Sequence, residues 1–158
     1  MKILFIGSKS GNSYLQYLTL KKLYSNVDII DSNEVFIWPS ISRKIFYHIS
    51  PYLLEFYINF YILKKIKKNY DLIYVRSGEV ISKKLILKLK KITKKIVFFC
   101  NDNPFVKRDK YRWKLFLGAA KYYDKIAFQD SSRIILSKKY GVKNPLLVLP
   151  GYDEKIHT

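Results

Sequence analysis

Residues 97–105 read Val-Phe-Phe-Cys-Asn-Asp-Asn-Pro-Phe, an apolar run that stops on a carboxylate set between two amides. A carboxylate there can hydrogen-bond a hydroxyl or take its proton, so Asp102 is a candidate catalytic base, with Asn101 and Asn103 as candidate substrate ligands. A local reading competes: Asx side chains bond nearby backbone and Pro104 ends a strand, which also suits a turn or a helix cap. Similar polar clusters sit at the ends of other short apolar runs. Gly7, Ser8 and Gly11 follow 2–6, and Arg76, Ser77, Gly78 and Glu79 follow 71–75. Gln129 and Asp130 close 125–129, and Gly151, Tyr152 and Asp153 follow 146–150. All are candidate substrate-binding residues. The Gly7–Gly11 turn is neither a dinucleotide-binding glycine pattern nor a Walker A loop, so it reads as a tight turn with weak phosphate-binding character. Arg108 and Arg112, four apart, share a face at the N-terminal end of a helix expected over 107–122, where the helix dipole favours anions. Anion capture and a solvated face are the two readings of that pair. His48 and His157 form no ligand pattern with each other, and no Ser-His-Asp or Cys-His set is present, so no metal site is expected.

These clusters need a frame that brings strand ends together. Short apolar segments at 2–6, 27–30, 71–75, 95–99, 125–129 and 146–150 alternate with segments of helical periodicity. A helix over 12–24 carries Leu15, Leu18 and Leu23 with Tyr14 and Tyr17. Residues 41–68 divide into two helical pieces at Pro51, which suits a helix's first turn and not its interior. In 80–92, Ile81, Leu85, Leu89 and Ile92 form one stripe while most of the lysines lie off it. The helix over 107–122 puts Trp113, Phe116, Leu117 and Ala120 on one face, and another helix spans 131–140. Strands that are apolar throughout belong to a parallel sheet covered on both faces. The expected fold is α/β: a Rossmann-like, doubly wound parallel sheet of about six strands with helices on both faces. In such a sheet ligands bind beyond the carboxyl ends of the strands, which is where the polar clusters fall.

A length of 158 residues fits one domain with a real core, spanning 1–158. Thirty Lys and Arg against twelve Asp and Glu give a net charge of +18, which attracts anionic partners: nucleic acid, acidic headgroups or phosphorylated ligands. Heavy use of Lys, Ile, Tyr and Asn is also what an AT-rich genome produces. No helix-turn-helix, RNP-like or zinc pattern supports specific nucleic-acid binding. The single cysteine, Cys100, excludes an internal disulfide and reads as a small buried side chain. The apolar run 3–6 is too short for a signal peptide, so a reducing, cytoplasmic setting is expected. The longest apolar stretch, 51–63, is interrupted by Glu55 and Asn59 and falls short of the ~20 residues of a membrane span. Its aromatic residues Tyr52, Phe56, Tyr57, Phe60 and Tyr61 lead into Lys-Lys-Ile-Lys-Lys, so 51–68 reads either as a helix packed on the sheet or as a dock for an anionic membrane surface, peripheral at the inner face.

Residues 101–158 resemble the N-terminal half of GT-B glycosyltransferases of the spore-maturation (CgeB-like) group. The residues that carry the resemblance are Asp102, Pro104 and Phe105; Tyr123 and Asp124; and Pro150, Gly151, Tyr152, Asp153 and His157. The resemblance implies two Rossmann-like domains across a cleft, the first receiving a sugar acceptor and the second holding a nucleotide-sugar donor. This chain corresponds to the acceptor side. The expectation is therefore an acceptor-binding domain of a glycosyltransferase, inactive without a C-terminal donor domain and carrying no cofactor of its own. The alternative is a stand-alone α/β module that binds an anionic ligand or a protein partner.

Overall fold

The computed structural model describes residues 1–148. Lys2–Gly7 (β1), Asn26–Asp31 (β2), Tyr70–Val75 (β3), Thr93–Cys100 (β4), Lys125–Phe128 (β5) and Pro145–Leu147 (β6) form one parallel sheet in the order β2-β1-β3-β4-β5-β6. The α-helices are Gly11–Leu23 (α1), Pro39–Lys44 (α2), Tyr52–Lys65 (α3), Lys83–Leu89 (α4), Lys114–Ala119 (α5) and Ser131–Lys139 (α6). The fold is the doubly wound, Rossmann-like α/β class that the alternation of elements predicts.

The strand order reverses once. The chain steps from β1 out to β2, returns across β1 to β3, and continues in that direction to β6. Parallel crossovers are right-handed, so this reversal sends α1 to one face and the later helices to the other. The side chains of β1 divide accordingly. Ile3 and Phe5 meet Tyr17 of α1, whereas Leu4 and Ile6 join the larger core with Ile58 and Ile62 of α3, Leu85 of α4 and Phe116 of α5. On the α1 face cover extends to β3, where the Tyr74 hydroxyl donates to Gln16 Oε1 at 3.4 Å. Beyond it Val97, Phe99 and Ala127 are half-buried, and Lys95 and Lys125 are exposed.

Two expectations change. In α1 the sheet-facing stripe is Ser13, Tyr17 and Leu20, while Leu15, Leu18 and Leu23 face solvent. Tyr17 wins the inner position because its ring packs edge-on against Phe5 at 5.8 Å. The expected helix over 107–122 is broken into a 3₁₀ turn at Lys107–Asp109, a reversal at Lys110 (φ 49°), α5, and a second 3₁₀ turn at Ala120–Tyr122. The Asp109 carboxylate accepts from Arg108 Nε at 2.8 Å and from Trp113 Nε1 at 3.0 Å. That bond helps hold Trp113 in the core across the break. Arg108 and Arg112 therefore do not share a helix face. The division of 41–68 at Pro51 is observed, with a π-helical turn at Ile45–Ile49 and Pro51 capping α3.

Glycines 7 and 78 fit where a side chain would not. A Cβ on Gly7 would stand 2.6 Å from Ser13 Oγ and 2.9 Å from Arg76 Cβ, and one on Gly78 would run into the Phe98 ring. Phe98 is fully buried and cannot swing aside. Gly78→Ala should therefore lower unfolding stability by about 1–3 kcal/mol, the usual range for overpacking, read as a lower denaturant midpoint. An unchanged midpoint would contradict this packing.

Candidate functional site

The carboxyl ends of β1 to β4 open onto a crevice of about 450 Å³ at the point where the strand order reverses. Seven of the residues singled out from the sequence line it: Ser8, Arg76, Ser77, Glu79, Asn101, Asp102 and Arg112. They arrive from four separate segments. The turn after β1 brings Ser8; the exit of β3 brings Arg76, Ser77 and Glu79; the exit of β4 brings Asn101 and Asp102; the loop before α5 brings Arg112. Gly7 and Gly78 stand behind this lining and let the β1 and β3 loops approach closely.

Charge is distributed unevenly across the crevice. Arg112 reaches Glu79 Oε1 at 3.1 Å through Nη2 and Asp102 Oδ2 at 3.2 Å through Nη1, so one guanidinium serves both carboxylates. It also stacks over Trp113 at 4.8 Å and lies 5.9 Å from the Tyr47 ring centre. Arg76 has different neighbours. Its Nη1 donates to Phe99 O at 2.7 Å and to Asn101 Oδ1 at 3.2 Å, and its plane lies over the Phe99 ring at 4.8 Å. Its buried Nε–H meets no acceptor among the described residues. Arg43 donates to Asn33 Oδ1 at 3.0 Å. Among the described residues, neither Arg76 nor Arg43 has a carboxylate within ion-pair distance. Burial draws the Arg76 guanidinium below its ordinary value against the opposing pull of Glu79 and Asp102, so its compensation by counter-charge is incomplete. An entering anion would supply that charge, with the Ser8, Ser77 and Asn33 side chains as neutral hydrogen-bonding groups at the rim.

Asp102 occupies the rim with its carboxylate partly exposed, held by Arg112 on one side and by its own backbone on the other. Arg133 of α6 donates through Nη1 to the carbonyls of Asn101 and Asp102. Cys100 Sγ–H donates to Asp102 O at 3.2 Å, and burial pushes that thiol far up, so it stays protonated as a structural donor. The Asn101–Asp102 turn is thus fixed from the inside while the Asp102 carboxylate faces out. Asp102 thus lines the crevice with its side chain, whereas Asn103 serves a turn: its Oδ1 accepts from Phe105 N at 3.1 Å.

The remaining candidates have other places. Asp130 caps α6, accepting from Arg133 N at 3.0 Å, and does not line the crevice; nor does Gln129 beside it. Gly11 opens α1 with φ 54° and has open space around it. Arg108 lies on an outer hollow with Tyr47 and His48, engaged by Asp109. Of the residues that carry the resemblance, Tyr123 is buried in the core, and Asp124 accepts from Ile96 N at 2.7 Å and Lys90 Nζ at 2.8 Å, tying strand starts together at the far end of the sheet. Gly151 and Asp153, with Pro150, Tyr152 and His157, lie outside the described residues. Among the described residues, no three His, Cys, Asp or Glu side chains converge as a metal site requires.

Sequence reasoning missed Ser32, Asn33, Arg43, Tyr47 and Trp113 in the lining, and Arg133 behind it. Asp31-Ser32-Asn33 closes β2 as the other polar clusters close their strands, and that signal was readable. Arg43 and Tyr47 arrive from the helical crossover after β2, where no local pattern marks them.

Removing Arg112 leaves the buried Glu79 without its cation. Arg112→Met should cost about 1–3 kcal/mol of unfolding stability, and adding Glu79→Gln should recover a measurable part of it in a double-mutant cycle. Purely additive effects would show that the two side chains are not coupled. No protein-family model matches the sequence, and no curated protein matches it, so the site is defined by its own geometry.

Proposed function

We propose that this chain is the acceptor-binding domain of a GT-B-type glycosyltransferase, taking the acceptor in the crevice beyond β1, β3 and β4. One observation carries the reading. The segment that resembles the CgeB-like group supplies Asn101, Asp102, Arg112 and Trp113 to the same crevice that strand topology alone marks as the ligand site. Two independent lines of argument meet on one cavity. In the proposed role Asp102 accepts the proton of the acceptor hydroxyl as that oxygen bonds to the sugar's anomeric carbon and the donor's nucleotide phosphate leaves with the electron pair of the broken C–O bond, while Arg112 orients the carboxylate. Arg76 and Arg43 hold an anionic group of the acceptor. A second domain facing the crevice would present the nucleotide-sugar donor.

In the complete, active enzyme, Asp102→Asn should lower kcat by about 10²–10⁴ with little change in acceptor KM. Arg76→Met should do the reverse, raising KM for an anionic acceptor at least about tenfold and leaving kcat within about threefold. Full turnover in Asp102→Asn would return that residue to the role of turn former. The second reading, a stand-alone module for an anionic ligand, is favoured by the Arg76 and Arg43 guanidiniums, which have no carboxylate within ion-pair distance among the described residues. It predicts saturable anion binding that survives Asp102→Asn, with no sugar transfer from any nucleotide-sugar donor.

A further inference from the structure

α3 carries apolar side chains on both its buried and its exposed faces. Ile58 and Ile62 are buried against the sheet, and Tyr52, Leu53, Phe56 and Phe60 point the other way. Leu53 is 67% exposed and Phe56 84%. Within α3 the exposed residues at 53, 56 and 60 keep helical spacing. α4 lies alongside with Leu87 exposed, and between the two helices runs a groove of about 730 Å³. Lys64, Lys84 and Lys88 border it, and Glu55 is the one acidic side chain in its lining. Lys64 Nζ lies 6.0 Å from the centre of the Phe60 ring.

Single exposed apolar residues need no explanation, but a contiguous aromatic stripe with a basic border does. Burial against the other described residues does not account for it, since the sheet-facing side of α3 is already filled. We propose that the outer face of α3 and α4 docks on the surface of an anionic lipid bilayer. The rings of Phe56 and Phe60 enter the headgroup–acyl boundary while Lys64, Lys84 and Lys88 pair with lipid phosphates. Charge complementarity selects this occupant: the border is cationic, and the whole chain carries +18. Among the described residues no helix is long and apolar enough to cross a membrane, so the contact is a surface one. The docking itself does not rest on the transferase reading and can fail or hold independently of it.

The test is co-sedimentation of the full chain with phosphatidylcholine vesicles made with and without phosphatidylglycerol. The wild-type chain should bind the anionic vesicles. Affinity should fall at least about tenfold in the Phe56→Ser/Phe60→Ser pair and in the Lys84→Glu/Lys88→Glu pair. The Lys138→Glu/Lys139→Glu pair on exposed α6 positions makes the same charge change elsewhere and should stay within about twofold of wild type. All the substituted side chains are exposed, and circular dichroism checks that each variant is folded. An equal loss in the α6 pair would overturn the proposal in favour of undirected charge attraction, and so would undiminished binding in the phenylalanine pair. A chain that ignores vesicles and instead forms a dimer abolished by Phe56→Ser/Phe60→Ser would assign the face to a second copy.

Discussion

Arg76 leaves β3 where the strand order reverses, and its charge has to be kept in a space from which much of the water is excluded. Burying a cation is costly unless hydrogen bonds and counter-charge compensate. The protein supplies the hydrogen bonds, from Phe99 O and Asn101 Oδ1, and a ring face from Phe99, but among the described residues no carboxylate. Much of the carboxyl edge follows from holding this group in place. At Gly7 a side chain would meet Phe5 and Ser13 as well as Arg76 Cβ, so the β1 exit passes close to the β3 exit only as glycine. Asn101 follows β4 directly, where its amide oxygen meets the guanidinium. A cation held at such cost, beside a cavity, is the pattern of a group whose partner arrives from outside.

The neighbouring arginine shows the contrast. Arg112 satisfies both acidic residues of the crevice, and Glu79 and Asp102 pull it from two sides. Those acids make their ion pairs with Arg112, and they act on Arg76 only through space, short of offsetting its burial. The loop that carries Asp102 is itself fixed by Arg133 and Cys100 through backbone carbonyls, which leaves the Asp102 side chain free of structural duty except toward Arg112. A fixed carboxylate and an under-compensated guanidinium thus face one cavity from adjacent strand ends.

The fold was legible because each strand is a short apolar run closed by polar residues, and parallel sheets need apolar residues on both faces. The same closing residues revealed part of the site: Ser8, Arg76, Ser77, Glu79, Asn101 and Asp102 follow their strands directly. What could not be read was tertiary. Tyr17 and Leu20, rather than the leucines around them, face the sheet from α1, and only packing against Phe5 and Tyr74 decides that. The break at Lys110 was not legible because the Asp109–Trp113 bond that spans it has the i,i+4 spacing of an unbroken helix. Arg43 and Tyr47 reach the crevice because the crossover after β2 folds back over it. Asp130 had the residue type and position of a ligand, yet it is occupied in capping α6.

The central claim is that the crevice around Arg76 takes an anion. The most direct measurement is a titration of the isotopically labelled chain with a hexose phosphate at moderate salt, following backbone amides and arginine Nε–H resonances. The account predicts saturable shifts centred on the Arg76 Nε–H and on the amides of Ser8, Asn33, Ser77 and Asn101. Shifts that are absent, or spread over the surface lysines and lost together as salt rises, would contradict it.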